Sequence, residues 1–202
     1  RVGGPRGAGL LGVPPFPPGA FFPPPTPRSP AFCYPPPTAA LARGLPRPPL
    51  PPPPPPAGTA SEVARGAIVI VDDGRKLGFH SWHLLPKTAI CDPGLTLGLP
   101  PLLTAATGMD AIAHCMETFM AAPFNPPADG IALDGLARGW AHIERATRDG
   151  QDREARLNMM SASMQGAMAF QKGLGCVHSL SHSLGGVNPR LHHGTLNALF
   201  LP

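Results

Sequence analysis

Hydrophobic positions have strand-like character only in a short part of the chain, between residues 61 and 100. Ala67–Val71 reads AIVIV, a run of β-branched residues that ends at the turn sequence DDG at 72–74, and this pattern predicts a strand. A second, weaker strand is predicted over Lys87–Cys91, where the sequence DPG at 92–94 closes the run. Two short strands are therefore expected before the helical part of the chain.

After Pro100 the apolar residues recur at spacings of three and four, which predicts helices throughout. Thr107 has the residue type preferred at an N-cap and is expected to begin the first of them. On the second helix, one stripe is formed by Ile131, Leu136, Trp140 and Ile143. The predicted helices cover Thr107–Ala122, Ala128–Thr147, Asp152–Lys172, Cys176–Leu184 and a segment from near His193 to Pro202.

The first 56 residues have a composition unlike the rest, because 22 of them are proline and none is acidic. Proline fixes φ and removes backbone donors, so this segment is predicted to be disordered or to form polyproline II. Pro51–Pro56 is a candidate ligand for an aromatic groove. An alternative stays open: the residue types are those of GC-rich codons, so translation of the wrong frame would also give this composition.

The pI of 9.2 does not indicate a nucleic-acid-binding protein, because the excess of basic residues is confined to the Pro-rich segment. Five arginines lie in the Pro-rich segment, whereas eleven basic and twelve acidic residues follow it. No apolar run reaches the roughly 18 residues of a membrane span. The four cysteines are scattered without a C-x-x-C pair, which favours a reducing compartment. We expect the cytoplasm, with an organelle as the alternative, since the N-terminal segment contains arginine and no acidic residue.

Histidine and aspartate side chains occur at helical spacing in two places. Asp110 and His114 stand four residues apart and therefore share a helix face, and His178 and His182 repeat this spacing. His192-His193 follows a Gly-rich break. A single pair of this kind is explained by an Asp that caps a helix and a His that lies in the core. Two pairs in apolar helices are harder to explain in this way, because buried imidazoles and a buried carboxylate need partners. Asp and His ligands suit Fe(II) or Zn(II), and a catalytic, a dinuclear and a purely structural site all stay open.

Longer motifs surround these residues from about Ala57 to Pro202. They are AGTASE at 57–62, DPGLT at 92–96, LPPLLTAATG at 99–108, GMDAIAHCME at 108–117, GLGCVHSLSH at 173–182 and HHGTLNALFLP at 192–202. Together and in this order they resemble the iron-containing alcohol dehydrogenases. The resemblance implies an N-terminal α/β domain that binds NAD or NADP and a C-terminal helical domain that holds one divalent metal, Fe(II) or alternatively Zn(II).

The resemblance also implies roles for individual residues. The family binds its metal through one Asp and three His, which correspond here to Asp110, His114, His178 and His193. His193 is implied rather than His192 because the family's last ligand directly precedes glycine, although His192 stays an alternative. His182 is implied to lie near the substrate and to assist proton movement as a catalytic residue.

The cofactor-binding part matches the family less well. Thr59 and Lys76 correspond to residues that contact the cofactor in the family. The family's Gly-Gly-Gly-Ser phosphate loop is not found, Pro55-Pro56 stands where relatives have Thr-Thr, and Ala60 replaces a glycine. Binding of the dinucleotide is therefore expected to be impaired in this chain.

The predicted fold is mainly α. Three parts are expected along the chain. The Pro-rich segment at 1–56 is disordered or mistranslated, and a remnant of an α/β dinucleotide-binding domain follows at 57–100. A helical metal-binding domain, truncated at its C-terminus, covers 101–202. The predicted function is metal-dependent, NAD(P)-linked interconversion of a small alcohol and an aldehyde or ketone, impaired in an incomplete chain. The alternatives are a non-catalytic fragment, a proline-rich interaction protein and a related polyol dehydrogenase. The expected partner is the small-molecule substrate, with neither nucleic acid nor membrane; self-association into a homo-oligomer stays open.

Overall fold

The computed structural model of the chain describes residues 58–70, 76–85, 89–188 and 190–201. The predicted Pro-rich segment at 1–56 lies outside these residues. Within them, five α-helices and one small sheet are found, so the prediction of a mainly α fold is confirmed for this part of the chain. Among the described helices, none combines the length and the apolar character that a membrane crossing requires.

The sheet is a pair of antiparallel strands, β1 (Gly66–Ile70) and β2 (Lys76–His80). The predicted strand at 67–71 is confirmed with a shift of one residue. The strand predicted over Lys87–Cys91 is wrong for residues 89–91, which form no strand. The partner of β1 is instead the segment that follows the DDG turn sequence, and a short hairpin connection of this kind favours antiparallel pairing.

The helices are α1 (Pro101–Met120), α2 (Pro126–Arg148), α3 (Arg153–Ala169), α4 (Cys176–Val187) and α5 (His193–Phe200). The first three pack against one another, α5 packs against α1, and α4 packs against α5. This arrangement brings α1, α4 and α5 together on one side of the helical body.

Three predicted helix boundaries are wrong. Helix α3, predicted to reach Lys172, ends at Ala169, and Phe170–Lys172 forms a 3₁₀ helix. Helix α1 begins at Pro101, because proline is well tolerated at the first helical position, where its missing N–H is not needed. Thr107 is therefore a buried residue inside the helix, and its hydroxyl donates a hydrogen bond to the carbonyl of Leu103 at 2.8 Å. Helix α4 does not stop at Leu184 but continues through two glycines to Val187.

The four large residues of the predicted stripe on α2 do not occupy its fully buried positions, although Ile131 and Ile143 are half-buried and pack against buried clusters. Trp140 is 68% exposed. The buried positions are instead small: Ala128, Ala132, Gly135, Gly139 and Ala146. The reason is the closeness of the helices, since a Cβ added to Gly135 would lie 2.8 Å from Cys115 Sγ, and one added to Gly139 would lie 2.9 Å from Ile112 Cγ1. Residue size, rather than hydropathy, decides which side of α2 faces the core.

A buried arginine ties the start of α1 to the loops around it. Arg156 on α3 is 3% exposed. It donates hydrogen bonds to Thr104 Oγ1 at 2.8 Å, to the Gly150 carbonyl at 3.0 Å and to the Leu99 carbonyl at 3.4 Å. These bonds fix the first turn of the helix that carries Asp110 further along.

Candidate metal centre

Three of the predicted ligands converge from three different helices. Asp110 lies in α1, His178 in α4 and His193 at the start of α5. Asp110 Oδ1 is 3.4 Å from His178 Nε2 and 3.5 Å from His193 Nε2. One potential ligand atom from each residue lies within 4.8 Å of the other two. Asp110 and His178 are buried, and His193 is half-buried.

His114, the fourth predicted ligand, lies beside this group but outside the tight set of three. Its ring stacks on His178, with centroids 4.4 Å apart, and its other neighbour is Phe170 at 5.2 Å. The side chain is buried, and its Nδ1 has no hydrogen-bond partner among the described residues. A buried imidazole nitrogen without a partner is costly, which fits a residue that has a ligand to bind. Its assignment as the fourth ligand stays a prediction.

Asn197, which the sequence analysis missed, lies at the centre of the converging atoms. Its amide Nδ2 donates to Asp110 Oδ1 at 2.6 Å and lies 3.2 Å from both His178 Nε2 and His193 Nε2. An amide NH₂ has two hydrogens and accepts no hydrogen bond, so it can donate to at most two of the three atoms that lie around it. This donor set of one carboxylate and two imidazoles fits a divalent metal such as Fe(II) or Zn(II).

The local environment shifts the pKa values of these groups in different directions. Burial lowers the pKa of His178, but its hydrogen bonds to Asp110 and Glu117 outweigh burial and leave this pKa raised. Burial raises the pKa of Asp110, but the neighbouring histidines outweigh burial and hold this pKa below its usual value. Burial lowers the pKa of His114 to about 4 and that of His182 to about 3. At neutral pH Asp110 is therefore ionised, and both imidazoles are neutral, with a free lone pair on one nitrogen.

Glu117 is a second residue that the sequence analysis missed. Its carboxylate accepts hydrogen bonds from the backbone N–H of Val177 at 2.8 Å, from the backbone N–H of His178 at 3.2 Å and from the Nδ1 of the His178 ring. Glu117 is 2% exposed. Burial raises its pKa, but these bonds and the charge of His178 leave it lowered. The carboxylate is therefore ionised and holds the ring of a predicted ligand.

His182 and His192 occupy different surroundings. The ring of His182 stacks on that of His193, with centroids 4.4 Å apart, and lies 6.1 Å from the ring of His178. His182 is thus adjacent to the ligand group, as its predicted role near the substrate requires. His192 is exposed at the N-cap of α5 and does not belong to the group of converging atoms. The ring of His193 is oriented by a contact of 3.2 Å between its Nδ1 and Ser181 Oγ.

The predicted cofactor residues lie on the N-terminal side of the helices. Thr59 is exposed, and the neighbouring Gly58 is buried against Thr107 of α1. The carbonyl of Gly58 accepts a hydrogen bond from the hydroxyl of Ser163 in α3 at 2.9 Å. Lys76 is the first residue of β2, but its side chain lies outside the part of the chain that the structure describes. Ala60, which replaces a family glycine, has a φ of +46°. This left-handed conformation favours glycine, so the replacement strains the backbone.

Comparisons with known proteins match the helical part of the chain to one family. Residues 104–202 match the model of the Fe-containing alcohol dehydrogenase family, C-terminal. The chain is 79% identical over 158 residues to a 4-hydroxybutyrate dehydrogenase of Cupriavidus necator, which covers 76% of this chain and 41% of that protein. It is 39% identical over 159 residues to a 1,3-propanediol dehydrogenase of Klebsiella pneumoniae, with 78% and 41% covered.

A solved structure gives the same result for the fold. The crystal structure of a 1,3-propanediol oxidoreductase superposes with a TM-score of 0.69 and 39% sequence identity, covering 72% of this chain and 38% of that one. The chain thus spans about two fifths of the length of the curated relatives it matches.

Proposed function

Because the chain belongs to the Fe-containing alcohol dehydrogenase family through residues 104–202, we propose that it serves metal-dependent, NAD(P)-linked interconversion of an alcohol and an aldehyde or ketone. The observation that supports this most is the convergence of Asp110 Oδ1, His178 Nε2 and His193 Nε2 within 4.8 Å of one another. These three residues, with His114 as the fourth ligand, would hold Fe(II) or Zn(II).

The chemistry divides between the bound groups and the protein. When bound, the metal would supply a Lewis acid that acidifies an alcohol hydroxyl or polarises a carbonyl, and hydride transfer belongs to the nicotinamide. Asp110 contributes the negative charge that a divalent cation needs in a buried site. His182, whose ring stacks on that of His193 with centroids 4.4 Å apart, is the residue that we propose to assist proton movement at the substrate.

The names of the relatives support a proposal for the substrate. The relative at 79% identity bears the name 4-hydroxybutyrate dehydrogenase, and others are named 1,3-propanediol dehydrogenases. Both names describe short chains with a terminal hydroxyl and a polar group at the other end. We propose 4-hydroxybutyrate as the first substrate to assay, with 1,3-propanediol second. Thr59 and Lys76 are the proposed contacts of NAD or NADP.

The experiment compares the chain with Asp110→Asn, using Asp134→Asn as the matched control. Asp134 is an exposed carboxylate that pairs with Arg138 on the surface of α2. Cobalt(II) is titrated into each purified chain as a spectroscopic replacement for Fe(II), and NAD(P)-dependent oxidation of 4-hydroxybutyrate is then followed at saturating metal.

We expect one cobalt per chain in the parent and in Asp134→Asn, and loss of binding in Asp110→Asn. Turnover that depends on Asp110 would support the full activity. Stoichiometric binding without turnover would support a retained metal site with impaired catalysis, as the departures around Ala60 lead us to expect. Equal cobalt binding by the parent and by Asp110→Asn would contradict the proposed site.

A further inference from the structure

We propose that Glu117 is a positioning residue that fixes the tautomer of His178 and directs its Nε2 toward the ligand group, while it holds the start of α4 against α1. The proposal rests on the metal site proposed above. Glu117 itself has no place among the predicted ligands, and its closest approach to the site is through the ring of His178.

The tautomer follows from two independent neighbours of the ring. An ionised carboxylate can only accept hydrogen bonds, so the Nδ1 of His178, which faces Glu117, must carry the proton. On the other side of the ring, the Nδ2 of Asn197 lies 3.2 Å from Nε2 and can only donate. In the neutral ring, both contacts therefore require a proton on Nδ1 and a lone pair on Nε2, which is the atom that belongs to the converging group.

The same carboxylate also caps a helix from another part of the chain. The first N–H groups of an α-helix have no partner inside it, and the N-cap of α4 is Gly175, which makes no side-chain capping bond. Glu117 supplies the missing acceptor to Val177 and His178 from 60 residues earlier. Because Glu117 lies in α1 with Asp110, one carboxylate fixes both the ring and the backbone of His178 relative to the other ligand.

Gly175 makes this approach sterically feasible. A Cβ at position 175 would lie 2.5 Å from Glu117 Oε1 and 3.3 Å from its carboxyl carbon. Any larger residue would therefore push the carboxylate away from the start of α4. The glycine and the glutamate form one arrangement, although they are far apart in the sequence.

The decisive variant is Glu117→Gln, because it keeps the size of the side chain and removes one acceptor. A glutamine offers one oxygen and one NH₂ group. If the oxygen of this glutamine caps α4, its NH₂ group faces Nδ1 of His178. This favours the His178 tautomer with the proton on Nε2, and a proton on that atom blocks its use as a metal ligand. The variant is therefore expected to change the tautomer of His178 more than the stability of the fold.

The tautomer is read from ¹⁵N chemical shifts of the His178 ring in the metal-free full chain, at an alkaline pH where the ring is neutral. We expect the Nδ1–H form in the parent and in the control Glu144→Gln, whose exposed carboxylate pairs with Arg148 on the helix surface. We expect the Nε2–H form in Glu117→Gln, with a loss of cobalt affinity of about 10- to 100-fold. Circular dichroism of each variant monitors folding.

A second variant tests the same arrangement without removing the charge. Gly175→Ala keeps Glu117 but displaces its carboxylate, and we expect the same direction of change in both readouts. An unchanged Nδ1–H tautomer together with unchanged cobalt affinity, in whichever of the two variants folds, would overturn the proposal. If the parent chain binds no cobalt, the proposed function fails, whereas the tautomer measurement still decides the role of Glu117.

Discussion

Gly194 follows His193 directly and lies where α5 crosses α1. A Cβ at this position would lie 2.2 Å from the carbonyl oxygen of Ala106 and 2.7 Å from its carbonyl carbon. Both atoms belong to the backbone of a long helix and cannot rotate away as the end of a side chain can. The substitution Gly194→Ala is therefore expected to force α5 and α1 apart.

The magnitude is a balance of two effects. The contact of 2.2 Å is about 1 Å shorter than non-bonded atoms tolerate, so the helices must separate by about this distance. Such overpacking costs about 1–3 kcal/mol, whereas replacing glycine by alanine inside a helix gains about 1 kcal/mol. We expect a net loss of up to about 2 kcal/mol, which corresponds to a fall in Tm of up to about 8 °C.

The separation also reaches the candidate metal centre. His193 and Asp110 lie on the two helices that move apart, and their ligand atoms are now 3.5 Å from each other. Ligand sets tolerate displacements of about 0.5 Å, so cobalt affinity is expected to fall about tenfold or more.

The assay combines thermal unfolding by circular dichroism with cobalt titration, using Gly130→Ala as the matched control. Gly130 lies in α2 with nothing within 4 Å of an added Cβ, so this variant is expected to gain up to about 1 kcal/mol and to bind cobalt as the parent does. A Gly194→Ala chain that melts at or above the parent temperature with unchanged affinity would refute the reasoning.

Four further predictions concern single side chains. Ala60→Gly should raise the free energy of unfolding in urea by about 1 kcal/mol, because glycine adopts the left-handed conformation without strain. An unchanged free energy of unfolding would contradict the inferred strain at Ala60. Arg156→Met should lower that free energy by about 3 kcal/mol, since one buried and two half-buried acceptors lose their donor. A loss below about 1 kcal/mol would argue against this role of Arg156. Burial raises the pKa of the Cys115 thiol to about 12, so iodoacetamide at about pH 8 should leave Cys115 unmodified in the folded chain, as peptide mass spectrometry would report. The pKa of His114 falls from 6.5 to about 4 on folding. Between these pH values the unfolded chain binds one proton more than the folded chain, so the free energy of unfolding decreases as pH falls. His114→Gln should remove up to about 3 kcal/mol of this pH-dependent change in metal-free chains.

The sequence alone was sufficient to predict the parts of the site that share a helix. Asp110 and His114 are four residues apart, and helical geometry places them on one face whatever else the chain does. Spacing contains no information on how α1, α4 and α5 meet, so the inter-helix contacts of Glu117 and Asn197 were missed. A signal for both was present: Glu117 is seven residues after Asp110, and Asn197 is four residues after His193, so each follows a predicted ligand on the same face.

The errors in the fold have a common physical origin in local rules that tertiary packing overrides. Thr107 has the residue type of an N-cap, yet α1 extends past it, because Pro100 and Pro101 can begin a helix but cannot lie inside one. The stripe of large apolar residues on α2 does not supply the fully buried positions of this helix, which include Gly135 and Gly139, because only small residues permit the observed approach of the helices. Hydropathy ranks residues by transfer to an apolar medium and does not include this limit on size.

The outward position of Trp140 has a practical consequence for optical measurements. Both tryptophans of the chain are largely in contact with water, Trp82 at 69% exposure and Trp140 at 68%. Indole emission responds to the polarity around the ring, and rings that are already hydrated change little when the chain unfolds. Tryptophan fluorescence is therefore expected to change little when this protein folds or unfolds. The same property makes Trp140 a sensitive reporter of any surface that comes to cover the outer side of α2.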